Sequence, residues 1–509
     1  MRLGGRAVFA VGFTALAAAL GGLAGLSGPA IAGATAAPAV PQATVIIHPD
    51  VLHVAKGSKQ PPTTAQCEAA YKIACYEPGQ VQQAYNLPLL YNRGVNGTGT
   101  TIVIVDSFGS PTIGHDLKVF DQQFGLPAPP SLKIIQPAGR VPRYNPKNSD
   151  MVGWAGETNL DVEYAHTIAP NARILLVETP VSETEGVTGF SQIVKAEEYV
   201  INHHLGDVIS QSFSATEQTF PSKASVEALR GAYIDAYRHH VTVLAASGDS
   251  GAADVGLDET TYYLYPVTSW PDSDPLVTGI GGTQLHLDAV GNHTAPDNVW
   301  NDTYNIPTNQ FFVGNNGPNP LAGGGGKSIF FSRPGYQNGV RHVVGSRRGV
   351  PDISMSAACD GAVDLYQSFA GQPAGWYPTC GTSEATPLFA GVVALAAQVA
   401  HHPLGLINPA LYTMSALHLP GIVDVTSGNN TVSFTQNGKL RTVHGFSARP
   451  GYDLASGVGT VNAALFVPEL AFLAGKLARS QAPAPVMSRR GADQRPVSAA
   501  AGQPAALRA

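Results

Sequence analysis

The chain has 509 residues, 44% of them hydrophobic, which is enough apolar material for a large folded domain. Charged residues are only 13% and the net charge is −6, with no basic run, so nucleic acid is excluded as an expected partner. With 56 Gly and 39 Pro and no internal repeat, the chain is neither a coiled coil nor a solenoid.

In chain order, Arg2 and Arg6 precede a long apolar run that ends in small residues. This is the pattern of a secretory signal, with A-x-A cleavage sites at Ala30–Ala32 and Ala34–Ala36. A signal peptide is expected over 1–32 and a short mobile leader, or residual propeptide, over 33–70. A disordered Ala/Pro-rich tail is expected over 477–509. No later stretch reads as a membrane span. Secretion permits disulfides, and Cys67, Cys75, Cys359 and Cys380 leave three pairings open.

Between leader and tail, apolar runs and helical patterns alternate. TTIVIVDSFG, ARILLVETP, GDVISQSFS and VTVLAASGDSG read as buried strands. NLDVEYAHTIA, GFSQIVKAEEYVINHH and KASVEALRGAYIDAYRHH read as helices. The fold class is therefore α/β: a mostly parallel central sheet with helices on both faces, and sites at the carboxyl ends of the strands.

Three short motifs carry chemistry. In CGTSEATPLFAG, Ser383 stands in a Gly-Thr-Ser turn ahead of an apolar helix, a placement suited to a nucleophile in need of a base. In VLAASGDSGAAD, Asp249 follows a strand; read alone, it is an ordinary turn aspartate. In GETNLDVEYAH, Glu157 and Asp161 share one helix face, whereas Glu163 points off it. Alone, that pair reads as a solvated face; together in a cleft, two such acids would share a proton. The doublets His203-His204, His239-His240 and His401-His402 read as surface or helix-end positions, and no Cys/His spacing suggests zinc.

Taken in order, E-x-x-x-D, GDSG and GTS-x-x-x-P resemble the sedolisin family, the serine-carboxyl peptidases with a subtilisin-like fold. YEPGQVQQAYNLPLLY, YPVTSWPDSDPLVTGIGGT, GGGGKSIFFSRPGYQ and RGVPDISMSA extend the resemblance over roughly 75–470, within a peptidase domain expected over 71–476. The resemblance implies Ser383 as nucleophile, Glu157 as general base, Asp161 as its partner and Asp249 as an oxyanion donor beside the Ser383 N–H. A carboxyl donates only when protonated, so this chemistry implies acid working pH. Asp106, at the end of IVIVDSFG, is either an acid supporting the catalytic glutamate or a turn residue. Phe213 and Ser214 stand where the family has Trp and Gly, a departure from the pattern around the substrate edge.

The family resemblance also implies one structural calcium ion, held by Asp424, Val425, Arg449, Gly451 and Asp453, with carbonyls supplied by Val425, Arg449 and Gly451. The family's large pro-domain has no counterpart in the leader. A histidine-dependent subtilisin would need a His in a Gly-Thr context after Asp106, and His115 and His166 lack it. The expectation is a secreted, monomeric endopeptidase acting on proteins or peptides. The alternatives are a tripeptidyl-peptidase and a non-catalytic member binding peptides or cell-wall material.

Overall fold

The computed structural model describes residues 52–55, 57–305 and 318–481. The expected signal peptide, the first part of the leader and the tail from 482 lie outside the described residues. The β-branched runs form β1 (Thr101–Ser107), β2 (Leu132–Ile135), β3 (Arg173–Thr179), β4 (Val208–Gln211) and β5 (Thr242–Ala246). The sheet is completed by β6 (Thr278–Gln284), β7 (Asn298–Val299) and β8 (Ile353–Ser356). Its order is β7-β6-β5-β4-β1-β3-β2, with β8 also paired to β6. Pairing is parallel except at the antiparallel β7.

The strand period of two divides the core into two layers. Ile102 and Ile104 face one core with Ile174 and Leu176, while Val103 and Val105 face the other with Leu175 and Val177. Helix α1 (Ser149–Ile168) brings Leu160, Tyr164 and Ile168 to the first face; α2 (Phe190–Asn202) and α3 (Gly231–His239) cover the second. Helix α4 (Thr382–Ala400) packs beside α1 on the first face. A Cβ at Gly391 would lie 2.5 Å from Ile168 Cβ, so glycine there allows the two helices their close approach. This is the expected three-layer α/β subtilisin-like architecture.

Several elements differ from expectation. Helix α1 begins ten residues before NLDVEYAHTIA, with the Asn148 side chain capping Met151 N at 3.1 Å. From Trp154 onward the helix is buried all round, so no amphipathic stripe marks its start. The expected helix KASVEALRGAYIDAYRHH is broken into Lys223–Glu227 and α3, and Arg230 at the break reaches Asp274 at 2.5 and 2.8 Å. Part of the leader is folded: Leu52–His53 pairs antiparallel with Gly375–Cys380, and Thr64–Tyr71 is a helix closed by Cys67–Cys75. The second disulfide is Cys359–Cys380. The last helix, Ala463–Gln481, runs past the expected domain end. Among the described residues one helix, α4, is long and apolar enough to cross a membrane, contrary to the expectation that no stretch would be; 78% of its apolar window is buried, as in the core helix of a globular domain.

Candidate active site

The carboxyl ends of β1, β4 and β5 and the start of α4 meet at one place. Ser383 is in the first turn of α4, inside the helix and not in a turn ahead of it. Proline at 387 has no N–H to give the carbonyl four residues back. That carbonyl, on Ser383, accepts instead from the Ser212 hydroxyl at 3.3 Å. The Ser383 hydroxyl in turn reaches the Ser212 carbonyl at 3.4 Å. The same Ser212 hydroxyl also lies 2.6 Å from Asp161 Oδ1. Ser212, just past β4, thus connects the candidate nucleophile to the acids of α1.

Glu157 and Asp161 are one turn apart and both buried, not solvated. Burial, then the charges of Asp106 and Glu157, push the Asp161 carboxyl well above the usual carboxylate range, against the Ser212 hydrogen bond. Asp106, in register with Glu178 across β1 and β3, is raised by burial to about 7, opposed by Thr158 and Asp161. Asp106 and Asp161 are two carboxyls buried together, close enough that each bears on the other's ionisation. Asp106 therefore joins the acid pair of α1 and is not an isolated turn residue. Beyond this strand end opens a cavity of about 160 Å³ lined in part by Phe108, Tyr144, Met151 and Glu178. Glu163 turns away, accepting the Tyr366 N–H at 3.0 Å.

Asp249 lies in the turn after β5 and faces the start of α4. Its Oδ1 accepts from Thr382 N and Thr382 Oγ1, each at 2.7 Å. Thr382 Oγ1 also accepts the Gly248 N–H at 3.2 Å. A Cβ on Gly381 (φ +131°) would sit 2.6 Å from Asp249 Oδ2, so a glycine is required before the helix. Asp249 is thereby positioned one residue from Ser383 in the helix start, where a developing oxyanion would also meet helix N–H groups.

The histidines considered from the sequence are held away from Ser383. The His115 ring is largely exposed beside Asp116, and His166 is buried against Pro127 O at 2.8 Å and Asp121 at 3.2 Å. In the doublets, His203, His204, His240, His401 and His402 are exposed and His239 is half-buried, none of them in a metal cluster. Phe213 packs its ring against Trp154 and Phe190, with centroids 6.1 Å apart in both pairs, and so fills the core in place of a tryptophan. Ser212, within GDVISQSFS, and Thr382, within CGTSEATPLFAG, contribute contacts that their motifs did not single out. Glu384 follows Ser383 in the first turn of α4. That side chain is fully buried; burial raises its carboxyl well above the usual range, opposed by Ser356, with Asp249 adding to the rise.

Four of the five expected calcium ligands, Asp424, Arg449, Gly451 and Asp453, are tied together at one turn. Asp424 Oδ2 accepts Gly451 N at 2.8 Å and Asp453 Oδ2 accepts Arg449 N at 2.9 Å. Asp453 Oδ1 accepts Ala455 N and Ser456 N, each at 2.8 Å. Among the described residues no three His, Cys, Asp or Glu side chains gather as a metal cluster. The donor set here is instead two carboxylates plus turn carbonyls, an all-oxygen set that fits a hard cation.

Comparison with known proteins is consistent with this arrangement. The Subtilase family model (Peptidase S8) matches residues 147–417. Kumamolisin of Bacillus sp. (strain MN-32) is 31% identical over 397 residues, covering 76% of this chain and 62% of that protein. Sedolisin of Pseudomonas sp. (strain 101) is 28% identical, covering 74% and 59%. Tripeptidyl-peptidase 1 of Canis lupus familiaris is 25% identical, covering 76% and 62%. The chain thus spans about three fifths of the length of these relatives. A solved structure of Pseudomonas sedolisin, a serine-carboxyl proteinase complexed with two molecules of pseudo-iodotyrostatin, matches at a TM-score of 0.62 and 24% identity. That match covers 80% of this chain and 99% of the other, and it shows the shared fold. The chain belongs to the subtilase family and, within it, to the sedolisins.

Proposed function

We propose that this chain is a secreted, acid-acting serine-carboxyl endopeptidase that hydrolyses peptide bonds through an acyl-enzyme on Ser383. In this reading Glu157 takes the hydroxyl proton as Ser383 Oγ attacks the scissile carbonyl. The oxyanion is met by the Ser383 N–H and a protonated Asp249. Glu157 returns its proton to the departing amine, and water then attacks the acyl-enzyme with Glu157 again as base. Asp161 and Asp106 hold a proton behind Glu157, so that the pair stays competent at pH values where a histidine base would be protonated. The observation that carries the reading is the Ser212 bridge from Asp161 to Ser383.

Secretion is supported by the N-terminal pattern and by two disulfides, which suit an oxidising compartment. Asp424 and Asp453, with carbonyls of Val425, Arg449 and Gly451, would hold one calcium ion, whose part is to fix the C-terminal turn. A tripeptidyl-peptidase is the second reading, favoured by relatives of that name.

The test is digestion of a denatured protein at pH 3–5 and at pH 7.5, beside Ser383→Ala and Glu157→Gln. Cleavage confined to acid pH and lost in both variants is expected. Cleavage peaking near neutrality, or surviving either substitution, overturns the mechanism. Sequencing the products separates internal cuts from release of tripeptides.

A further inference from the structure

Beside the site lies a group of acids with no role in the chemistry above. Glu183 is 1% exposed and neither carboxylate oxygen has a hydrogen-bond partner. Its backbone N–H is held by Ser107 Oγ at 3.1 Å, next to Asp106. Glu185, also buried, accepts Thr216 N at 2.9 Å and Thr219 Oγ1 at 3.0 Å. Asp254 is 6% exposed and accepts Ser269 Oγ at 2.8 Å. Thr216 and Ser269 are cross-strand partners, and Thr216 Oγ1 donates to Val255 O at 2.9 Å, so these segments form one wall. The charges acting on Glu183 are those of Glu259 and Asp254; those acting on Glu185 are Asp254 and Glu183. All are negative. The charge of Asp254 also acts on the phenols of Tyr262 and Tyr263.

The group borders open space at the candidate oxyanion turn. A Cβ built on Gly248 (φ +97°) would meet only one atom within contact range, Asp254 Oδ2 at 3.9 Å. Gly248 is the neighbour of Asp249, and the strand Ala215–Thr216 follows Ser212 by three residues. A substrate side chain lying over Gly248 would therefore pass between the two segments that flank Ser383 and arrive at Asp254.

Buried carboxylates without a counter-charge either take up protons or hold a cation. We propose that Asp254, backed by Glu185 and Glu183, forms a subsite for a lysine or arginine side chain on the acyl side of the scissile bond. The proposal rests on the peptidase reading above and names its substrate class. Burial and mutual repulsion raise the Glu183 and Glu185 carboxyls well above their usual range. Their charge, and with it the preference for a cation, therefore grows as pH rises from the ordinary carboxylate range.

The experiment uses matched peptides differing only at the acyl-side residue: lysine, arginine, norleucine or glutamate. The ratio of kcat/KM for lysine over norleucine is read from pH 4 to 7, which cancels pH effects common to both. It is expected to reach about tenfold or more, to rise with pH, and to fall toward one in Asp254→Asn and Glu183→Gln. The binding ratio of product peptides ending in lysine or norleucine, measured on Ser383→Ala, is expected to follow the same trend without any chemistry. A ratio near one at every pH, or one that neither substitution moves, overturns the subsite. A lysine preference in binding with no Ser383-dependent cleavage of any peptide leaves the subsite standing and sinks the peptidase reading. Isosteric, uncharged variants relieve burial cost, so thermal melts at pH 7 at or above that of the unsubstituted chain are expected to show that they fold.

Discussion

The carbonyl of Ser383 accepts its hydrogen bond from the hydroxyl of Ser212, at 3.3 Å, because residue 387 is a proline and cannot supply the helical N–H. Ser212→Ala removes this contact together with the one to Asp161. A loss of roughly 10–100-fold in kcat is expected, with KM changed less, since positioning and not ground-state binding is lost. Pro387→Ala restores an N–H that competes with Ser212 for the same carbonyl. It is expected to lower kcat while raising Tm or leaving it unchanged. An unchanged kcat in both variants would assign Ser212 to packing alone.

Gly381→Ala places a methyl 2.6 Å from Asp249 Oδ2 on a backbone at φ +131°. Asp249 must shift, and the contacts to Thr382 shift with it. Loss of one oxyanion donor costs about 10²–10³ in kcat. A loss of that order is expected, and a peptide aldehyde that mimics the tetrahedral intermediate should bind correspondingly more weakly. Equal affinity for such an aldehyde would remove Asp249 from the oxyanion role.

Stability should fall as pH rises through neutrality. Buried acids with raised pKa values bind more protons in the folded chain than in the unfolded one above the ordinary carboxylate range. Asp106 is raised to about 7 and Glu197 to about 8, each chiefly by burial. Their protonated forms are fully favoured below the unfolded value near 4, and the associated stability is lost as pH climbs through 7 and 8. At this chain size about 1 kcal/mol moves Tm by roughly 2–4 °C, so a drop on the order of 10 °C between pH 4 and pH 8 is expected. Calorimetry measures it, and a Tm that rises over this interval contradicts the buried-acid account.

A chelator should lower Tm if Asp424 and Asp453 hold calcium, because an ion bound only by the folded chain stabilises it by mass action. Added Ca2+ should restore Tm, and Asp453→Asn should abolish the response. A Tm indifferent to chelator counts against both ligands.

Much of this architecture was legible. IVIV and ILLV are strands because β-branched and apolar runs buried on both faces fit a parallel sheet. Strand β6 was not legible, since three glycines in TGIGGTQ break up its β-branched Thr278, Ile280 and Thr283. Its glycines answer to tertiary contacts: a Cβ on Gly281 would lie 2.5 Å from Ser354 Oγ, and one on Gly282 would lie 2.8 Å from Trp300. At the candidate site, Glu157, Asp161, Asp249 and Ser383 were singled out through their motifs. Ser212 was not, because its role depends on a carbonyl left open by a proline far away in sequence. The buried acids Glu183, Glu185 and Asp254 were equally silent, since isolated acidic letters in loops read as solvated until the fold encloses them.

The pairing of Leu52–His53 with Gly375–Cys380 bears on how the chain can be shortened. That strand leads directly into Gly381 and Ser383, and Leu52 stands opposite Cys380. Were the folded part of the leader removed, the strand would keep its inner partner, Ala362–Gln367, but present a bare outer edge. Unpaired N–H and C=O groups along such an edge recruit strands from other molecules. A chain trimmed back to Tyr76 would accordingly tend to self-associate in solution at the very strand that leads into the candidate nucleophile.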